Sequence, residues 1–107
     1  MGQTREQLLN RANETIERLR QEVAQGLDLL PADLRAAVDG APEDYQWDLG
    51  RALFALRHEP GLGDYSRGLR RGEVLGLISA GRTFNVLTTP QVQALHEFVR
   101  ELQPVKP

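Results

Sequence analysis

The sequence predicts an all-α domain, a compact bundle of four to six helices led by a long amphipathic N-terminal helix. Three observations carry that reading. Apolar residues recur at intervals of three and four along several segments, which is the helical period. Gly and Pro fall at the ends of those segments, where they start or stop helices. The one stretch with strand propensity, TFNVLT at residues 83–88, has no second strand to pair with, so it is expected to be an extended connector. A length of 107 residues suits one domain with a single modest core.

The first helix is expected over residues 3–25. Thr4 can cap it, and Gly26 stands where a C-terminal glycine belongs. Leu9, Ala12, Ile16, Leu19 and Val23 follow one another at spacings of 3, 4, 3 and 4, which sets them on one narrow stripe. That stripe is a seam either for the chain's own bundle or for a dimer. A short second helix is expected in LPADLRAAVDG, opened by Pro31 and ended by Gly40. A third runs from Pro42 to about His58. Glu43 and Asp44 complement the positive end of its dipole, and Arg57 and His58 the negative end. Glu59-Pro60-Gly61 stops it.

The segment from Gly61 to Thr83 is unusual. Gly68, Gly72, Gly76 and Ala80 recur every four residues, and each interior Gly costs about 1 kcal/mol relative to Ala. On one continuous helix, Arg67 and Arg71 would share an azimuth with Val74 and Ile78. A break near Gly72 removes that conflict, so two short helices are expected, the first capped by Asp64 and the second ended by Gly81. The last helix begins at TTPQVQALHEF, with Thr89 as cap and Pro90 in the first position. Residues 103–107 read as a flexible tail.

Composition excludes several kinds of chemistry. The chain has no cysteine, so it has no disulfide framework, thiolate catalysis or Cys-based zinc site, and it fits a reducing cytoplasm. The first ten residues carry no apolar run, so no secretory leader is expected. No window approaches ~18 consecutive apolar residues, so no membrane span is expected. GLISAGRT at 76–83 is one residue from the phosphate-loop pattern. It lacks the lysine, a preceding buried strand and a helix starting at Thr83. The G-x-G at 61–63 lacks a βαβ unit. LISAG lacks the glycine and the sheet of a nucleophile elbow. His58 and His96 have no second histidine at helical spacing, and Glu6, Glu14, Glu17 and Glu22 lie off the apolar stripe. No metal, cofactor or catalytic set is therefore expected.

Charge is unevenly distributed. Residues 1–50 carry 5 Arg against 10 acids, and residues 51–82 carry 6 Arg against 3. Arg67, Arg70, Arg71 and Arg82 form the candidate partner or anion surface, since the guanidinium fork suits carboxylates and phosphates. The leading expectation is a small, non-enzymatic, intracellular protein–protein interaction or regulatory protein acting as a homodimer. A nucleic-acid-binding regulator that uses those four arginines comes second. An enzyme, or a ligand binder with an apolar pocket lined by Trp47, Phe54, Tyr65 and Phe84, comes third.

Overall fold

The computed structural model describes residues 4–58 and 63–102. Five helices follow one another: α1 (Arg5–Leu27), α2 (Ala32–Asp39), α3 (Glu43–His58), α4 (Asp64–Thr83) and α5 (Thr89–Glu101). There is no strand among the described residues, so the all-α expectation holds. The Glu59-Pro60-Gly61 stop and the 103–107 tail lie outside the described residues.

Packing passes from neighbour to neighbour. α1 lies on α3, α3 on α4, α4 on α5, and the short α2 also reaches α5. The core is wholly apolar. Leu49, Leu53 and Leu56 of α3 meet Val74 and Ile78 of α4 and Leu95 and Val99 of α5, and Leu34, Val38, Leu27 and Val23 close the edges. The molecule measures 54 × 32 × 23 Å, with a radius of gyration of 15.9 Å. A compact domain of this size has about 13 Å. The excess length is explained by α1, whose N-terminal half reaches past its support on α3.

Two glycines expected to end helices sit inside them. Gly26 is buried within α1, which continues to Leu27. A β-carbon there would overlap the Gly50 carbonyl of α3. The residue type is set by the close approach of two backbones, so the helix has no need to stop at it. Gly81 is likewise buried within α4. A Cβ at that position would lie 2.6 Å from the Tyr45 hydroxyl and 2.8 Å from Leu87 Cδ1. The reversal after α4 is made two residues beyond the helix by Asn85, at φ 59°, a residue type that tolerates the left-handed region. Val86 and Leu87 N–H then both donate to the Gly81 carbonyl, at 2.8 and 3.0 Å, so residues 84–87 are a tight turn rather than an extended connector.

The break expected near Gly72 is absent: α4 is one helix of 20 residues. The azimuth conflict is resolved along its length. Val74 and Ile78 are fully buried, whereas Arg67 and Arg71, one to two turns earlier, are half-buried beyond the edge of the core. Long arginine stems can lie on apolar surface, and here the Arg71 Nε itself is buried, with no hydrogen-bond partner among the described residues. Two caps also move by one residue. Gly63, not Asp64, precedes α4 as its cap. Thr88, not Thr89, caps α5: its hydroxyl accepts from Gln91 N–H at 3.3 Å, and its own N–H donates to Gln91 Oε1 at 2.9 Å. That reciprocal box needs Gln or Glu three residues on, and Val92 could not supply it to Thr89.

Candidate functional site

The apolar stripe of α1 is split by its surroundings. Val23 is buried and Leu19 half-buried, both at the root of the helix. Above them every residue from Thr4 to Arg18 is exposed. Leu9 keeps 55 % of its surface, Ile16 47 %, and Leu8, beside the stripe, 52 %. Ala12, between them, is exposed too. Thr15 satisfies its own hydroxyl within the helix, donating to the Arg11 carbonyl at 3.0 Å. The free end is held by a second capping box: Gln7 N–H donates to Thr4 Oγ1 at 3.1 Å, and Thr4 N–H to Gln7 Oε1 at 3.0 Å. Residues 5–18 thus form a helical arm about 21 Å long. Its apolar side runs on from the α1–α3 contact and is exposed among the described residues.

Beside the root of the arm lies a groove of about 900 Å³ between α3 and α4. Its floor is Ala52, Phe54 and Ala55 of α3 with Gly76 and Leu77 of α4, and its rim carries Asp48, Arg51, His58, Arg70 and Glu73. Glu22 of α1 borders it. Phe54 lies against His58, with ring centroids 4.7 Å apart and the planes tilted by 34°. Tyr45 pins the two walls together below, donating its hydroxyl to the Leu77 carbonyl at 2.8 Å. Burial pushes this phenol up to about 12 from its ordinary 10.

The glycine row of α4 faces outward. Added β-carbons at Gly68, Gly72 and Gly76 would meet no atom within 4 Å. Tyr65 (81 % exposed) and Leu69 lie on the same side, since positions i, i+4, i+7 and i+11 stack.

The four arginines do not form one patch. Arg67, Arg70 and Arg71 are half-buried at the N-terminal part of α4, with Arg70 held by Glu73 at 3.3 Å. Arg82 lies about 17 Å further along the helix and braces the corner into α5. Its Nε donates to Thr89 Oγ1 at 2.8 Å and Nη1 to Asn85 Oδ1 at 3.4 Å. The aromatic set disperses as well. Phe54 lines the groove and Trp47 packs against the core, while Tyr65 and Phe84 (76 % exposed) face solvent. His96 Nε2 stands 3.4 Å from Ser79 Oγ at the surface. No cluster of three His, Cys, Asp or Glu that could hold a metal occurs among the described residues. No described helix is long and apolar enough to cross a membrane.

The groove was not legible as a site in the sequence. Its signal is the pair Ala52 and Ala55 on α3 facing Gly76 on α4: small residues that leave room between two helices. No family model, curated protein or solved structure matches the chain.

Proposed function

We propose that this chain is a non-enzymatic protein–protein interaction or regulatory protein that works as a homodimer through the exposed half of α1. The observation that supports it is the split stripe. Val23 belongs to the chain's own core and Leu19 is half-buried, while Leu9, Ala12 and Ile16 continue the same seam exposed among the described residues. An isolated helix of this length is marginal in water, yet this one is capped at its free end and presents an apolar side. That is what a helix kept ready for a partner needs.

Magnitudes limit how the partner is held. Burying the exposed half of a Leu or Ile releases roughly 1 kcal/mol. Leu8, Leu9 and Ile16 from two copies therefore supply roughly 6 kcal/mol, whereas a micromolar complex requires about 8 kcal/mol after the cost of association. Two arms alone do not suffice, and a further surface contributes.

The test is Ile16→Glu, read by light scattering and circular dichroism. Wild type is expected at twice the chain mass of 12.0 kDa. The variant is expected at the single-chain mass with its helicity retained, since Ile16 is exposed and lies outside the buried core. A wild-type protein that runs as one chain, or a variant that keeps the dimer, overturns the reading.

A further inference from the structure

Resting on that reading, we infer that the arm of one copy is received by the α3–α4 groove of the other, so that two copies exchange their N-terminal helices reciprocally. The alternative, arm paired with arm, has too little surface. Residues 5–18 make two heptads, short of the three to four that sustain a coiled coil. The footprint of such a helix is on the order of 200 Å², against about 800 Å² per partner in a stable complex.

Reciprocal docking covers an arm and a groove on each copy, on the order of 400 Å² per partner, twice what paired arms cover, before the root is added. The groove runs about 15 Å along α3 from Asp48 to His58 and about 10 Å along α4 from Arg70 to Leu77, a good part of the length of the arm. Ala52, Ala55 and Gly76 form its floor, and such small residues let a third helix axis come close, at the near end of the usual 8–10 Å. The arm fits it in chemistry: Leu9 and Ile16 are branched apolar side chains suited to a shallow apolar floor. Its charges are balanced, with Arg5, Arg11 and Arg18 against Glu6, Glu14 and Glu17, as are those of the rim. Apolar contact, rather than net attraction, therefore holds the pair.

Adjacency identifies the occupant as a second copy. Glu22 belongs to the root of the arm and also borders the groove, so the projecting element and the recess that accepts it stand side by side on one surface. Such a surface is self-complementary: a two-fold axis through it brings each arm against the other's groove at once. The two docked arms and the shared root then add to one continuous interface, an extension of the α1–α3 contact already made by Val23 and Leu27 on Gly50.

The chain contains no cysteine, which makes disulfide trapping clean. Full-length Ile16→Cys is mixed with Ala55→Cys and, separately, with Gln93→Cys, an exposed site on α5 outside the groove. Ala12→Cys with Ala52→Cys, one turn away on both helices, serves as a second pair should the first fold poorly. Under brief mild oxidation the arm–groove mixtures are expected to yield the cross-linked heterodimer at least fivefold above the Gln93→Cys control. A wild-type dimer that traps only Ile16→Cys to itself, or traps neither pair above the control, overturns the exchange and leaves the homodimer reading standing. A wild-type protein that is a single chain overturns both.

Discussion

Gly26 of α1 and Gly50 of α3 face each other so closely that a β-carbon on Gly26 would overlap the Gly50 carbonyl, and one on Gly50 would lie 2.7 Å from the Val23 carbonyl. This contact is where the arm is rooted, and at Gly26 the nearest atoms are all backbone, of Gly50 and Phe54, with no flexible side chain to yield. Gly26→Ala is therefore expected to destabilise the fold by about 1–3 kcal/mol through overpacking, despite the better helix propensity of Ala. Gly68→Ala and Gly72→Ala, which meet no atom within 4 Å, are expected to stabilise by up to about 1 kcal/mol each. Urea unfolding of the three variants distinguishes them by sign.

Tyr45 ties α3 to α4 through its hydroxyl on the Leu77 carbonyl. Tyr45→Phe keeps the ring and removes the bond, and is expected to cost about 1 kcal/mol. The phenol also sets a pH limit. Its folded value is raised from 10.0 to about 12, so between those values the folded state holds a proton that the unfolded state has lost. Stability from this group is fully present below pH 10 and declines as pH rises toward 12. Unfolding midpoints measured from pH 9 to 12 should fall in the wild type and fall less in Tyr45→Phe.

Thr88 and Gln91 close the box that starts α5. Thr88→Ala is expected to cost about 1 kcal/mol in thermal unfolding. An unchanged melting temperature would return the cap to Thr89.

The arginines do not favour a nucleic-acid backbone. Arg70 is paired with Glu73, Arg82 braces a corner, and Asp48 and Glu73 stand on the same groove rim. Duplex DNA or RNA is expected to leave the protein's mobility unchanged at low salt. A shift that weakens steeply with added salt would assign Arg67, Arg70 and Arg71 to phosphate contacts.

Local chemistry was legible along the chain, and spatial chemistry was not. The stripe from Leu9 to Val23 follows from spacing alone, as do α1, α2, α3 and α5 in outline. What spacing does not say is where the support ends. Nothing in the sequence distinguishes Ile16, open to water, from Val23, buried seven residues on, because the difference lies in the reach of α3. Gly26 and Gly81 are ambiguous for a related reason: a glycine that ends a helix and one that admits a neighbour's close approach look identical in one dimension. Arg67 and Arg71 suggested a break in α4 only under the assumption that one azimuth has one environment along a whole helix.

The most direct measurement is the native mass of the wild-type protein across a micromolar concentration series, in low salt and again at moderate salt. A mass of twice the 12.0 kDa chain, little changed by salt because the contact is apolar, is the outcome expected of arms that dock on a second copy. A single-chain mass at every concentration would contradict it and leave the exposed face of α1 without a role in self-association.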